Sequence, residues 1–85
     1  MNKHKLFEKI QNSKKNIAFT DFVVLIEAFG FRHTRSKGSH EIYRRDDIPK
    51  IINIQNDKGK AKPYQVSQFL EVVALFNLRL EDNYE

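Results

Sequence analysis

The chain has 85 residues, no cysteine and a formal net charge of +4, with a pI of about 9.5. This length fits one domain with one modest core, because a second core would need roughly 50 more residues. The lack of cysteine excludes disulfides and thiolate metal sites and is compatible with a reducing cytoplasm. No apolar run approaches the roughly 20 residues of a membrane helix, and the N-terminus does not resemble a signal sequence. We therefore expect a cytoplasmic protein without membrane contact.

The charge is distributed unevenly along the chain. Residues 31–62 hold nine Lys or Arg against four acids, whereas residues 63–85 hold one Arg against four acids. A basic segment on a small domain suits a polyanion such as RNA, because phosphates attract cations whatever the base sequence. An ordinary solvated surface would explain the same charges, so charge alone leaves both interpretations open.

Two helices are predicted at the start of the chain. Lys3–Asn12 carries its apolar residues on one side of a helical projection. The second helix is predicted from Thr20, which with Asp21 offers an N-cap and a first-turn acid, to about Phe29. Gly30 supplies a left-handed C-cap. A stripe at helical spacing marks this second helix as the buried centre of the fold: Phe22, Leu25, Ile26 and Phe29.

After Gly30 the hydrophobic period changes from helical to alternating, which predicts three strands. Short connections between them predict an antiparallel meander. A basic loop with a glycine hinge is expected to follow the third strand. The predicted strands are Phe31–Ser36, Ser39–Arg45 and Lys50–Gln55, the turns are Lys37-Gly38 and Asp46–Pro49, and the loop is Asn56–Pro63.

A last helix is predicted from Tyr64 to about Asn77, where the helical period returns. The sum is a two-layer α+β fold of order α-α-β-β-β-α, with a three-stranded antiparallel sheet and the helices on one face. We expect one domain over residues 1–85, comprising the short helix 3–12, a core at 19–77 and an acidic tail at 78–85. The tail is expected to fray beyond Leu80.

Most enzyme classes lack their residues here. The three histidines show no metal-ligand spacing, and no Ser or Cys triad, phosphate-binding glycine loop or paired carboxylates are recognisable. We therefore expect no metal and no cofactor. His4 is interpreted as a solvated terminal residue. His33, between Arg32 and Thr34, could help to bind phosphate, but packing or exposure is the commoner role of such a residue.

His40 has a different setting, because it begins a strand directly after a glycine turn. Lys37 and Ser39 are adjacent, and Arg35 and Arg44 are close in the meander. Histidine titrates near neutral pH. RNA cleavage by the adjacent 2′-hydroxyl needs mainly a proton acceptor and cations that steady the phosphorane. A structural histidine would have similar neighbours, so the residues alone leave its role open.

Three segments together resemble the HicA toxins of bacterial HicA–HicB toxin–antitoxin pairs. They are Phe22–Phe31 (FVVLIEAFGF), Lys37–Tyr43 (KGSHEIY) and Lys62-Pro63, in the same order and at similar spacing. The resemblance implies a fold similar to double-stranded-RNA-binding domains and ribonuclease action on mRNA, with His40 as the catalytic residue. It also implies a HicB-like antitoxin as partner, and we do not expect direct binding to DNA.

The chain departs from that family in two places. Many members have a histidine at the end of the third strand and Gly-Thr after Lys-Pro, whereas this chain has Gln55 and Tyr64-Gln65. A second proton donor must therefore lie elsewhere or be water. The helix Lys3–Asn12 is an addition found in longer relatives, and its role is open.

RNA-binding roles are expected for several residues near His40. Lys37 is the first candidate for the scissile phosphate, and Ser39 is either a phosphate or histidine contact or simply a turn residue. Gly38 lets the turn bend and a phosphate approach closely. Further contacts are expected from Arg35, Arg44 and Lys62.

Strand parity gives a further expectation. If Ile42 faces the helices, Tyr43 lies on the open face of the sheet and can stack on a base. The same parity places His40 on the helix side, near the sheet edge.

Three functions are compatible with the sequence. The leading hypothesis is an endoribonuclease toxin that inhibits growth by cutting mRNA and is held inactive by its antitoxin. The alternative is a module that binds double-stranded RNA without cleaving it, which would not need His40. A purely protein-binding domain would show no affinity for RNA at low salt.

Overall fold

The computed structural model describes residues 2–80. Three helices and four strands form one α+β arrangement, which confirms the predicted fold class. The strands make one antiparallel sheet in chain order, β1-β2-β3-β4. The elements are α1 (Lys3–Asn12), α2 (Phe19–Ala28), β1 (Arg32–Lys37), β2 (His40–Arg44), β3 (Ile52–Asp57), β4 (Lys60–Ala61) and α3 (Pro63–Leu75).

Strand β4 lies where the sequence predicts only a loop, so the sheet has four strands and not three. Lys58 and Gly59 both have positive φ, 54° and 88°, which is the backbone of a two-residue type I′ hairpin. The Asn56 side chain accepts a hydrogen bond from the Gly59 amide at 2.6 Å. The predicted glycine hinge is therefore a tight turn between β3 and β4.

The start of α2 depends on this added strand. The Ala61 amide donates to the Ile17 carbonyl at 2.8 Å, and the Phe19 amide donates to the Gly59 carbonyl at 2.9 Å. The N-cap is Ala18, which has no capping side chain. The predicted N-cap at Thr20 is wrong, because a backbone carbonyl of the β3–β4 turn meets a free amide of the first turn.

Helix α2 ends as predicted, with Gly30 in the left-handed region at φ 92°. The Phe31 amide bonds back to the Ile26 carbonyl at 3.3 Å, which is the long bond of a Schellman motif. The Arg45 guanidinium donates to the Phe29 carbonyl at 2.8 Å. A cation therefore supports the C-terminus of α2, where the helix dipole favours it.

Helix α3 begins with Pro63 in its first turn and ends at Leu75. Asn77, at φ 53°, takes the left-handed position after the helix. Leu78 and Leu80 then pack against the core cluster. The predicted fraying beyond Leu80 lies outside the described residues, and no helix within residues 2–80 is long and apolar enough to cross a membrane.

Phe69 of α3 is at the centre of the core. Its ring meets those of Phe22, Phe29 and Phe31 edge to face, at centroid distances of 5.7, 5.6 and 6.0 Å. All four rings are at most 1% exposed. The same cluster includes buried residues of α1 and of the sheet, among them Leu6, Ile10, Tyr43, Ile52 and Ile54.

The helices cover one face of the sheet, and the register defines which residues lie on each face. Tyr43 pairs with Ile52, and both belong to the core cluster. Ile42 pairs with Asn53 and lies outside that cluster, so it faces away from the helices. The predicted parity of β2 is therefore wrong, and His40, two residues before Ile42, lies on the open face.

Strand β1 is exposed along its whole length and is held mainly by β2. The Thr34 hydroxyl donates to the Ile42 carbonyl at 3.2 Å, beside a register shift in β1. The Glu41 carboxylate lies 2.5 Å from the Ser36 hydroxyl and 2.7 Å from the His33 ring nitrogen. The bond from Ser36, followed by that from His33, lowers the pKa of Glu41 below its ordinary value of 4.5.

Replacing Phe69 with alanine should lower the free energy of unfolding by about 3–5 kcal/mol, because it removes three aromatic contacts and leaves a cavity. Urea denaturation followed by circular dichroism measures this change. The matched control is Leu75→Ala on the same helix, since Leu75 is 68% exposed. The control should stay within about 0.5 kcal/mol of the wild type. Equal losses in the two variants would contradict the described core.

Glu41→Gln should make the protein less stable above pH 4.5 and lose this effect as the pH falls. The folded-state pKa is lowered, so the carboxylate contributes stability above its ordinary pKa and loses it as the pH drops through the folded value. Urea midpoints of the wild type and the variant, measured across this range, should converge at the acid end. A difference that does not change with pH would contradict the assigned contacts.

Candidate functional site

The site lies on the open face of the sheet, where β1, β2 and β3 place three side chains in a row. Lys37 pairs with His40, and His40 pairs with Gln55. Directly opposed residues of antiparallel strands point to the same face. His40 is half-buried at the first position of β2, so the strand begins one residue after the predicted start at Ser39.

The turn before His40 is a two-residue hairpin of Gly38 and Ser39 between the paired Lys37 and His40. Gly38 has φ 61°, and a Cβ added there would meet nothing within 4 Å. Glycine is favoured at this position for its backbone conformation and not for lack of space. The turn leaves Ser39 exposed directly beside the histidine.

One short hydrogen bond orients the His40 ring. Its Nδ1 lies 2.7 Å from the side-chain oxygen of Asn53, diagonally across β2 and β3. An amide oxygen can only accept, so Nδ1 carries the hydrogen of the neutral ring. The lone pair then lies on Nε2, which is the nitrogen left available to accept a proton.

Ser39 is held by the same strand that holds His40. The Gln55 side-chain amide donates to the Ser39 hydroxyl at 3.1 Å. Gln65 of α3, only 4% exposed, accepts from the Gln55 backbone amide at 2.9 Å and donates to the Gln55 side-chain oxygen at 3.3 Å. Gln65 also donates to the Tyr64 hydroxyl at 3.3 Å. Ser39, Gln55, Tyr64 and Gln65 therefore form one hydrogen-bonded unit.

Sequence reasoning missed Asn53 and the linking role of Gln65. The signal available for Asn53 was its position between two isoleucines, Ile52 and Ile54, which marks it as the outward residue of an alternating strand. Gln65 gave no comparable signal, because its contact depends on how α3 crosses the end of β3.

Cations surround His40 on the open face. Arg35 pairs with Ile42, so it lies on this face next to Lys37, and Arg44 lies further along β2. Lys62 directly follows Ala61, the last residue of β4, and is the N-cap residue of α3. The structure therefore groups Lys37, Gly38 and Ser39 tightly around His40, with Arg35, Arg44 and Lys62 at the margin.

The structure contradicts the prediction that Tyr43 contacts RNA. It is 5% exposed and belongs to the core cluster on the helix side of the sheet. Its pKa is raised by burial and, to a smaller extent, by the charges of Glu27 and Glu41. Its ring lies edge to face with that of His33, at 5.3 Å between centroids. A base on the open face cannot stack on this ring.

Metal ligands are not grouped in the part of the chain that the structure describes. Residues 2–80 contain no cluster of three or more His, Cys, Asp or Glu side chains able to hold an ion. The chemical groups near His40 are instead amides, a hydroxyl and cations. Such a set can move a proton and stabilise negative charge on phosphate oxygens.

Comparison with known proteins identifies a family. The family model described as the HicA toxin of bacterial toxin–antitoxin systems matches residues 19–75, from the first residue of α2 to the last residue of α3. No curated protein and no solved structure matches the chain. The family match covers more than half of the chain and includes every residue of the His40 site. The chain therefore belongs to the HicA toxin family of bacterial toxin–antitoxin systems.

Proposed function

We propose that this protein is an endoribonuclease toxin that cleaves mRNA in the cytoplasm, without a metal ion, and thereby inhibits growth. One observation carries the proposal: His40 lies on an exposed basic face with Nδ1 occupied by Asn53 and Nε2 left available. Membership in a toxin family supports the toxic role, and a basic face supports a polyanionic substrate.

The reaction begins with the 2′-hydroxyl of the substrate. Nε2 of His40 accepts its proton while O2′ bonds to the adjacent phosphorus. The bond from phosphorus to O5′ then breaks, which leaves a 2′,3′-cyclic phosphate and a 5′-hydroxyl. The proton for the leaving oxygen comes from the His40 imidazolium or from water, since Gln55 cannot supply one.

Cations next to His40 stabilise the negative charge that develops on the phosphorane oxygens. Lys37, directly opposite His40 on β1, is the first of these. The Gly38 turn lets the phosphate backbone approach closely, and Ser39 offers its hydroxyl to a phosphate oxygen. Arg35, Arg44 and Lys62 bind flanking phosphates, which positions the chain without reading its bases.

An antitoxin partner follows from membership in the family. We infer a HicB-like protein that covers the open face, because this face presents both the histidine and the cations that RNA would contact. Acidic groups on such a partner would pair with Lys37 and Arg35 and displace the substrate.

His40→Ala should lower the rate of RNA cleavage by about 10²- to 10⁴-fold, the range expected for loss of a general acid–base group. Purified wild type and variant are incubated with an mRNA transcript in EDTA, and fragments and their ends are analysed by gel electrophoresis. The matched control is His33→Ala, a histidine on the opposite face, which should retain activity. Growth arrest on expression should be lost with the first variant only.

Cleavage by His40→Ala at the wild-type rate would contradict the proposed mechanism. Complete loss of wild-type activity in EDTA would contradict its independence of metal. RNA that stays intact with the wild type but binds in a salt-sensitive manner would favour the non-catalytic RNA-binding alternative.

A further inference from the structure

We infer that Asn53 is a positioning residue that fixes the tautomer and the orientation of His40. The inference rests on the proposed function for its catalytic consequence, although the tautomer itself can be measured without any cleavage. Asn53 lies diagonally opposite His40 on β3, with 2.7 Å between its side-chain oxygen and Nδ1. Nothing in the family pattern described above assigns a role to this position.

The Asn53 backbone is held firmly although its side chain is exposed. Its neighbours in β3, Ile52 and Ile54, are 4% and 1% exposed and anchor the strand on the helix-side core. The β2–β3 register continues on both sides of Asn53, through its partner Ile42. An exposed side chain on a fixed backbone can hold a partner in one geometry.

Two consecutive residues, Ser39 of the turn and His40 of β2, are held by alternate residues of β3. Asn53 bonds His40, and Gln55 bonds Ser39, while Gln65 holds Gln55 from α3. These hydrogen bonds connect the β1–β2 turn and the start of β2 to β3, an inner strand of the sheet. Replacement of Asn53 removes the hydrogen bond to the His40 imidazole but leaves the hydrogen bond between Gln55 and Ser39. We therefore expect the effect to be confined to the imidazole ring.

An amide suits this position better than a carboxylate, because of the charges around His40. Lys37 is opposite His40 on β1, Arg35 lies diagonally on β1, and Lys62 follows β4; Asp57, at the far end of β3, is opposite Lys60 in the strand register. Asn53 fixes the Nδ1 hydrogen without adding charge. A carboxylate there would stabilise the positively charged imidazolium relative to the neutral ring.

The experiment uses Asn53→Ala and Asn53→Asp in the full chain. Long-range ¹H–¹⁵N NMR of the imidazole nitrogens reports the tautomer of His40. In the wild type, neutral His40 should carry its hydrogen on Nδ1. In Asn53→Ala the signal should shift towards the Nε2–H form, and kcat for RNA cleavage should fall about 10- to 100-fold with little change in KM.

Asn53→Asp retains an acceptor and should therefore retain the Nδ1–H tautomer. The acid limb of its pH–rate profile should move to higher pH, because the new carboxylate stabilises the protonated imidazole. Gln68→Ala, an exposed amide on α3, is the matched control and should change neither the tautomer nor the profile. A merely structural role for Asn53 would not produce these opposite spectral outcomes in the two variants.

The inference is overturned if His40 in Asn53→Ala keeps the wild-type tautomer, or if kcat is unchanged. An unshifted pH profile in Asn53→Asp also overturns it. If the wild type cleaves no RNA, the proposed function fails, and the NMR comparison alone decides whether Asn53 sets the tautomer. Dispersed amide spectra of each variant establish that the fold is retained.

Discussion

The packing of three helices on one face of a small sheet is the constraint on which the rest of the structure depends. Burial of Ile52 and Ile54 against the Phe69 cluster fixes which face of β3 is covered. Asn53, between them, must then point outwards, and cross-strand pairing directs His40 to the same side. The packing of the core therefore determines which side chains lie on the open face. The proposed active site consists of these side chains on the surface of the sheet.

Local signals predicted much of this fold, and non-local contacts account for the errors. Gly30 predicted the end of α2, and the glycine turn predicted the start of β2 to within one residue, at Ser39 where the strand begins at His40. The parity of β2 was wrong because Ile42 and Tyr43 are adjacent apolar residues, and a strand shifted by one residue exchanges its faces. Strand β4 pairs locally with β3 across the Lys58-Gly59 turn, but its other contact, from the Ala61 amide to the Ile17 carbonyl, joins residues more than 40 positions apart.

The sequence was sufficient to select His40 as a candidate site residue. It was not sufficient to predict Asn53 and Gln65, which hold His40 and Gln55 in place. A histidine after a glycine turn among cations can be read along the chain, whereas Asn53 and Gln65 reach the site only through strand register and helix crossing. Gln55 has a structural role, because its hydrogen bonds link Gln65 of α3 to the Ser39 turn. In the proposed mechanism, proton transfer on this face depends on His40 and water.

We propose that RNA binds the open face of the sheet and not the helical face. The most direct measurement is a titration of ¹⁵N-labelled protein with an RNA whose 2′-hydroxyls are methylated, so that it binds without cleavage. We expect chemical-shift changes at residues 35–40 and at the side-chain amides of Asn53 and Gln55, weakening as salt is raised. Changes confined to α1 and α3, with the 35–40 segment unaffected, would contradict RNA binding on the open face.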